Sequence, residues 1–338
     1  MKKLMNTLYL VNDDVTVNNT ATALDVFDNT TREKTHIPLH MIEKVMVYGN
    51  AEISRSTLSK LVECGIGVYY LKQDGQLRYM VNGLTRGNVL LRKKQYLKSA
   101  EESCWQLPKE MIKAKLKNEC FVLNRFNRNH ESEEIEQAVE KIYGLLGRVD
   151  ESKSLDELRG YEGAAARQYF NVFGNMILSD ESLMQFSGRT RRPPRNRSNS
   201  MLSYAYTLLM TDCLHALECT GLDPYVGFIH GDRPGKPSLA LDIMEELRPV
   251  IADRFVLRLI NLKIISADEF QYGQEMGVYL TPKGKKIFLQ EWQQYKEQEV
   301  EIPELGKIAK GQIPFLQAQK VSAILRGEES HYKPLLWR

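Results

Sequence analysis

The spacing of apolar residues changes once along the chain, and this change restricts the folds that the sequence can adopt. Before residue 84, short runs of β-branched and aromatic residues, such as Val45–Tyr48 and Val68–Leu71, are separated by Asn, Asp and Gly. These are strand and turn signals, interrupted by one predicted helix from Ser54 to Cys64. After residue 85 the apolar residues recur at helical spacing. We therefore predict an α+β multidomain protein, with an N-terminal β-sandwich at 1–84 and a larger, mostly α-helical domain at 85–338.

The second part is predicted to contain long helices joined by polar loops. One helix is expected over Leu155–Ser179, and another is expected to run without interruption over Leu239–Leu262. A short strand at Gly277–Thr281 is expected before a further helix at Pro282–Lys296.

Composition excludes several classes of protein. The 338 residues suffice for about two domains, and the 43% hydrophobic and 26% charged content excludes a disordered chain. The five cysteines are odd in number and form no Cys-x-x-Cys pair, which argues against a disulfide framework and a cysteine zinc site. No signal-peptide pattern is found, and no apolar run reaches the roughly 18 residues needed to span a membrane. We expect a cytoplasmic protein with reduced thiols.

Positive charge is clustered, although the net charge is only +3. Residues 86–128 contain eleven Lys or Arg and four Glu, and the segment 189–197 contains five arginines, two prolines and no acidic residue. We call 189–197 the basic loop, because its prolines are incompatible with a helix interior. Arginine clusters of this kind bind phosphate, but a solvated loop fits the composition equally well. The basic helices nearby favour nucleic acid.

Acidic and histidine side chains that could carry chemistry lie at three places. Glu162 lies near a predicted helix start beside glycines and alanines, and His230 lies in a Gly- and Pro-rich loop. Asp242 and Glu245 are three residues apart and project from one helix face. Each has an ordinary structural explanation, as a first-turn acid, a hydrogen-bonded histidine or an exposed acidic face. Taken singly, these explanations are favoured.

Together the four residues form a set of oxygen and imidazole donors. Such mixed, oxygen-rich sites suit Mg²⁺ or Mn²⁺ better than zinc. A metal of this kind beside arginines matches the needs of phosphodiester chemistry. The residues therefore favour a metal-dependent enzyme acting on nucleic acid. A DNA-binding scaffold without catalysis and a metal hydrolase for small molecules remain open alternatives.

The chain contains four distinctive sequence blocks. They are Gly-Tyr-Glu162-Gly-x-x-x-Arg167, Arg-Arg-Pro-Pro-x-Asn-x-x-Asn-x-Met-Leu-Ser203-Tyr204-x-Tyr206, Gly-Phe-Ile-His230, and Ser-Leu-Ala-Leu-Asp242-x-x-Glu245-x-x-Arg248-Pro. In this order and at these spacings the blocks resemble the Cas1 family, the integrases of CRISPR adaptation. The form Asp-Ile-Met-Glu-Glu is most similar to subtypes related to I-C, and the likeness extends over essentially the whole chain, including the tail 317–338.

The resemblance implies roles for the two regions and for individual residues. It implies that residues 1–84 form a dimerisation domain and that residues 85–338 form the catalytic domain. It assigns Glu162, His230 and Glu245 as ligands of Mg²⁺ or Mn²⁺, and Asp242 as a catalytic residue that supports a metal ligand or positions the substrate. Glu246 is a rival ligand.

The resemblance also implies an activity and partners. Prespacer DNA would be joined to the leader–repeat by attack of a 3′-hydroxyl on a phosphodiester, and the same site would hydrolyse DNA. The implied partners are double-stranded DNA, a second copy of the chain, a Cas2 dimer and, in this subtype, a Cas4 nuclease; no membrane is implied. The arginines expected near DNA phosphates are Arg167, Arg191, Arg192, Arg233 and Arg248.

Overall fold

The structure is a computed structural model that describes residues 6–72, 75, 77–84, 87–101, 106–179, 184–303 and 306–337. The predicted domain boundary lies between residues 84 and 85, and residues 85–86 lie outside the described part of the chain. Cys104 also lies outside it. The four described cysteines are free thiols.

The N-terminal part consists of two four-stranded sheets and one helix. In the first sheet the strand order is β1-β5-β7-β8, with β1, β5 and β7 parallel and β8 antiparallel to β7. In the second sheet the order is β4-β3-β2-β6. The elements are β1 (Thr7–Leu10), β2 (Val15–Asn19), β3 (Ala23–Asp28), β4 (Lys34–Pro38), β5 (Lys44–Val47), β6 (Ala51–Ile53), α1 (Arg55–Glu63), β7 (Gly67–Leu71) and β8 (Leu77–Val81).

Strand β5 of the first sheet is buried on both faces. Alternate residues of a strand point to opposite faces, so Val45 and Val47 of β5 pack in one core with residues of the second sheet. Met46, between them, belongs to the larger core shared with the helices. Lys44 is fully buried and forms an ion pair with Asp212 of the helical part. The strands and helices are therefore joined by apolar packing and by a buried charge pair.

The C-terminal part is mostly helical, with two short antiparallel hairpins. Its elements are α2 (Val89–Ser99), α3 (Gln106–Asn127), α4 (Glu133–Val149), α5 (Leu155–Val172), α6 (Arg197–Thr220), α7 (Ser238–Leu247), α8 (Arg254–Asn261), β9 (Phe270–Tyr272), β10 (Val278–Leu280), α9 (Pro282–Glu297), β11 (Glu299–Ile302), β12 (Gly306–Ala309) and α10 (Ile313–Arg326).

Two helix predictions were too long. The helix expected over Leu239–Leu262 is divided, because α7 ends at Leu247 and a π-helical turn over Arg248–Asp253 precedes α8. Pro249 has no N–H to donate and its ring crowds the preceding turn, which accounts for the change in winding. The helix expected to reach Ser179 ends at Val172 and continues as a 3-10 turn to Met176.

The mixed α+β class, with strands first and helices after, is confirmed. The narrower β-sandwich and the domain limits stay predictions. Within the described residues, no helix is long and apolar enough to cross a membrane.

Candidate active site

The candidate residues come from α5, α7 and the loop before α7, and α3 packs against both helices. Ser154 caps α5 by accepting a hydrogen bond from the Glu157 backbone N–H, which sets the start of the helix that carries Glu162. Helix α7 begins at Ser238, directly after the Gly- and Pro-rich loop that contains His230. Local sequence signals therefore place the carboxylates on helices and the imidazole on the loop between them.

Asp242 orients the loop and its histidine. Its fully buried carboxylate accepts hydrogen bonds from the backbone N–H groups of Phe228 (2.6 Å), Ile229 (2.9 Å) and His230 (2.9 Å), and from His230 Nδ1 (2.7 Å). Because an ionised carboxylate only accepts, Nδ1 carries the ring proton. Nε2 is left available and lies 3.7 Å from Glu245 Oε1. Asp242 thus sets the tautomer and direction of a ligand-type imidazole.

Close packing holds the same loop on α7. A Cβ added to Gly227 would lie 2.8 Å from both Asp242 Oδ2 and Ser238 Cβ, so only glycine fits at this approach. Arg159 of α5 donates from Nε to the Ile229 carbonyl at 2.7 Å. The sequence prediction did not include Arg159; its position one helical turn before Glu162 was the available signal.

Lys115 of α3 lies between the two predicted carboxylate ligands. Its ammonium forms ion pairs with Glu162 and, at 2.7 Å, with Glu245 Oε2, and its side chain is 5% exposed. Burial alone would lower the pKa of Lys115, but Glu245, Glu162 and Glu119 together raise it above the usual value. No sequence pattern identified Lys115, because it is one of many lysines in the basic stretch 86–128.

Glu245 is buried but remains strongly acidic. Arg248 Nη1 lies 3.0 Å from its Oε1, opposite the oxygen that pairs with Lys115. Burial alone would raise the pKa of Glu245, but Arg248, Lys115 and His230 lower it to about 2. This carboxylate is therefore ionised at neutral pH and has positive groups on both sides.

Glu119, one turn after Lys115 on α3, is also buried. Among the described residues its Oε2 has no hydrogen-bond partner. Burial raises the pKa of Glu119 to about 8, against the opposing effect of Lys115. The site thus includes a carboxyl group that the sequence prediction did not identify.

Glu246, the rival ligand, faces away from this cluster. Its Oε1 accepts hydrogen bonds from Gln317 Nε2 (2.6 Å) and Tyr332 Oη (2.7 Å), and the Leu335 N–H lies 3.3 Å from Oε2. Burial raises the pKa of Glu246 to about 7, and the Gln317 and Tyr332 donors partly oppose that rise. A spacing of four from Asp242 does not bring Glu246 to the site, because its carboxylate is used by the C-terminal tail.

Glu162 and Glu245 pair with the Lys115 ammonium, and His230 Nε2 lies beside the other carboxylate oxygen of Glu245. Among the described residues, no three His, Cys, Asp or Glu side chains approach closely enough to hold a metal ion as they stand. The donor set nevertheless fits Mg²⁺ or Mn²⁺: two carboxylates from separate helices and an imidazole with a free Nε2. Glu162 and His230 are each 25% exposed, so the site opens to solvent on their side.

The basic loop is divided between buried and exposed arginines. Arg189 is part-buried, and its guanidinium donates to Asn199 Oδ1 (2.9 Å) and Ser203 Oγ (3.2 Å) of α6. Burial lowers the pKa of Arg189. The Arg189 side chain therefore attaches the loop to α6 rather than facing solvent. Arg191 and Arg192 are exposed, as the prediction for DNA contact requires. The alternative of a solvated loop therefore does not describe Arg189.

Tyr206 of α6 lies between the basic loop and the carboxylate cluster. The guanidiniums of Arg189 and Arg248 lie 5.2 Å and 5.1 Å from its ring centre, and its hydroxyl donates to Asp253 Oδ1 at 2.6 Å. The Arg248 side chain is only 15% exposed and is occupied with Glu245.

Among the other predicted DNA contacts, Arg167 and Arg233 are exposed, on α5 and on the loop before α7 respectively.

Comparison with known solved structures shows the fold. A casposase bound to integration product is 23% identical, with a TM-score of 0.86 over 99% of this chain and 95% of that chain. A Cas6-RT-Cas1–Cas2 complex contains a chain that is 21% identical, with a TM-score of 0.84 over 100% of this chain and 37% of that one.

Comparison of sequences shows the family. The family model described as CRISPR associated protein Cas1 matches residues 8–294. A CRISPR-associated endonuclease Cas1 of Rhodospirillum rubrum is 40% identical over 347 residues, covering 100% of both chains. The chain therefore belongs to the Cas1 family of CRISPR-associated proteins.

Proposed function

We propose that this protein is a metal-dependent DNA integrase and endonuclease of CRISPR adaptation. The observation that carries the proposal is that Glu162 and Glu245, from separate helices, lie beside one ammonium, while His230 Nε2 lies 3.7 Å from Glu245 Oε1. Glu162, His230 and Glu245 would hold Mg²⁺ or Mn²⁺. When bound, such a metal supplies charge that stabilises the phosphoryl oxygens during displacement at phosphorus.

The chain's own residues prepare this position. Asp242 keeps the proton on His230 Nδ1 and thereby directs Nε2 outward. Arg248 keeps Glu245 ionised, since an adjacent guanidinium favours the charged form of a carboxylate. Both effects are present before any substrate arrives, so little reorganisation is needed at the moment of reaction.

The proposed reaction joins a prespacer to the leader–repeat. The 3′-hydroxyl oxygen of the prespacer forms a bond to a repeat phosphorus, the phosphorus–oxygen bond to the adjoining nucleotide breaks, and the hydroxyl proton passes to the departing oxygen or to solvent. One such attack on each strand completes insertion. Water in place of the hydroxyl gives hydrolysis, which accounts for nuclease activity.

The exposed arginines are proposed to bind the DNA backbone. Arg191 and Arg192 on the basic loop, with Arg167 and Arg233, would contact phosphates, which position DNA without reading its sequence. Arg248 would act nearer the reacting phosphate, beside Glu245.

The proposed partners are a second copy of the chain through residues 1–84, a Cas2 dimer and a Cas4 nuclease that trims DNA ends. The similar chain in a solved Cas6-RT-Cas1–Cas2 complex supports the Cas2 partner. We expect the complex to act in the cytoplasm on prespacer and leader–repeat DNA, and the subtype related to I-C stays a prediction.

A strand-transfer assay tests this proposal. Purified protein, with and without Cas2, is mixed with a short 3′-hydroxyl DNA and a supercoiled leader–repeat plasmid in Mg²⁺, Mn²⁺ or chelator. We expect covalent joining that requires metal and is lost in Glu162→Ala and His230→Ala, while salt-sensitive DNA binding persists. Metal-dependent activity retained in both variants would exclude this ligand assignment. Intact DNA binding without any joining or cleavage in the wild type would favour a non-catalytic scaffold.

A further inference from the structure

The candidate site already contains a cation. The Lys115 ammonium pairs with Glu162 and with Glu245 Oε2, although the two carboxylates belong to different helices. The lysine side chain is 5% exposed, so this is a buried charge cluster rather than a surface ion pair. A divalent ion held by the same two carboxylates would need the position that the ammonium occupies.

Helix α3, which carries Lys115, offers the ammonium a further acceptor besides Glu162 and Glu245. Glu119 lies four residues after Lys115, and residues at this spacing share one face of a helix. Its Oε2 is buried, and within the described part of the chain it has no hydrogen-bond partner. A buried polar atom left without a partner normally costs free energy and needs an explanation. Lys115 has two carboxylate partners, whereas the neighbouring Glu119 Oε2 has no hydrogen-bond partner among the described residues. This difference suggests that the ammonium can move from the two carboxylates to Glu119.

We propose that Lys115 is a tethered counter-ion of the site, which neutralises Glu162 and Glu245 in the metal-free protein and moves to Glu119 when a divalent metal binds. The inference rests on the metal site of the proposed function and adds a competing group to it. The lysine would preserve the arrangement of the ligands without metal and would weaken metal binding by competition.

Electrostatics gives the reason for the movement. Glu162 is 25% exposed and Glu245 is buried, and Arg248 only partly neutralises this acidic pair, so removing Lys115 without a replacement is costly. A divalent ion and an ammonium at the same place would repel each other strongly in a low-dielectric site. Transfer of the ammonium to Glu119 removes that repulsion and satisfies the unpaired oxygen.

Metal binding and stability test the inference without any activity assay. Full-length wild type, Lys115→Met and Glu119→Gln are titrated with Mn²⁺ and followed by electron paramagnetic resonance, and thermal unfolding is measured in chelator. We expect Lys115→Met to bind Mn²⁺ roughly tenfold more tightly, about 1.4 kcal/mol, because the competitor is gone. Its unfolding midpoint in chelator should fall. Glu119→Gln should bind Mn²⁺ several-fold more weakly, because an amide, unlike the Glu119 carboxyl, cannot take a negative charge beside the displaced ammonium.

Lys44→Met is the matched control. Lys44 is equally buried and pairs with Asp212 where β5 meets α6, away from the candidate ligands. Its loss should lower the unfolding midpoint and leave Mn²⁺ affinity at the wild-type value.

Three results would overturn the inference. Equal or weaker Mn²⁺ binding by folded Lys115→Met would show that the lysine holds the ligands rather than competing with metal. If Lys115→Met does not fold, an unchanged Mn²⁺ affinity in Glu119→Gln would overturn the inference instead. Absence of Mn²⁺ binding in the wild type and all variants would instead remove the proposed metal site, and the inference with it.

Discussion

Helix α7 carries two neighbouring glutamates whose surroundings are opposite in kind. Glu245 and Glu246 are both almost completely buried, at 3% and 0% exposure. Glu245 faces Lys115, Arg248 and His230, and these positive or ligand-type groups lower its pKa to about 2. Glu246 faces neutral donors of the C-terminal tail, and its pKa is raised by burial to about 7. Burial raises both pKa values, so the charge of the neighbours decides which carboxylate stays ionised.

Helix α3 also has one residue in charged surroundings and another in neutral surroundings, three positions apart. Lys115 faces the acidic cluster, whereas Asn118 Nδ2 donates to the backbone carbonyls of Glu246 (2.8 Å) and Leu335 (2.9 Å). The Trp337 N–H in turn lies 3.0 Å from Asn118 Oδ1. One side of the α3–α7 pair therefore carries ion pairs, and the other attaches the tail by hydrogen bonds. We call these the ionic side and the tail side.

The largest expected difference between the two sides is in strand transfer by Glu245→Gln and by Glu246→Gln. Glu245→Gln should lower strand transfer by at least roughly a hundredfold, because the proposed metal ligand loses its charge. Glu246→Gln should keep most of the activity, because its partners are neutral donors and lie on the tail side. The measurement is initial-rate strand transfer at saturating Mg²⁺. Equal losses in the two variants would show that the ionic side has no special role.

Asp242→Asn tests how far the ionic side depends on one orienting carboxylate. We expect a loss of roughly 10- to 100-fold in metal affinity and joining, the usual range for a residue that orients a metal-binding histidine. DNA binding, measured by fluorescence anisotropy, should be unchanged. A variant that binds Mn²⁺ like the wild type would contradict the orienting role.

The pH dependence of stability should have a component that belongs to Glu246. Its pKa is raised from 4.5 unfolded to about 7 folded, so the folded protein binds this proton more tightly. The resulting stabilisation is present at low pH and is lost as pH rises from about 4.5 through 7. The free energy of unfolding of the wild type should therefore decline by roughly 2–3 kcal/mol relative to Glu246→Gln between pH 5 and 8. Urea unfolding at four pH values measures this, and parallel curves would refute it.

Tyr332→Phe should affect only the tail side. It removes the hydroxyl that donates to Glu246 Oε1 and should lower the free energy of unfolding by about 1–2 kcal/mol, the cost of a buried acceptor that loses a donor. Tyr96→Phe is the control, because the Tyr96 hydroxyl donates to Asp223 at the surface, and a change within about 0.5 kcal/mol is expected there. Altered Mn²⁺ affinity in Tyr332→Phe would mean that the two sides are coupled.

Substitutions in the basic loop should change DNA affinity and leave Mn²⁺ affinity unchanged. The double variant Arg191→Ala with Arg192→Ala should weaken binding to all sequences and reduce the logarithmic salt slope by about 2. The double variant Arg32→Ala with Arg55→Ala changes the charge equally at exposed positions of the strand region and should leave the slope unchanged. Equal slopes for the two double variants would exclude a specific role for the loop.

The predictions from sequence were reliable where a residue's role follows from its neighbours in the chain. Helical spacing predicted α9 closely, and the ordered motif blocks predicted the family, which the sequence comparisons confirm. The errors have local physical causes. Pro249 ends a helix pattern whose apolar spacing continues, and α10, the helix from Ile313, was not predicted.

The side chains of the site illustrate what spacing alone cannot decide. Asp242 and Glu245 lie on one face of α7 as the spacing predicted, yet Asp242 binds a loop while Glu245 binds cations. Glu246 qualified as a ligand by spacing and is instead held by Tyr332 and Gln317, which follow it by 86 and 71 residues.

The order of strands and helices, the family, and the residue types from which a phosphodiester site could be built all follow from the amino-acid sequence. Which charges meet depends on how the helices pack in the folded chain. Lys115 precedes Glu245 by 130 residues and was one lysine among many until α3 packed against α7. Pairing energies depend on distance and on exclusion of water, and both are set by packing between segments that are remote in the chain.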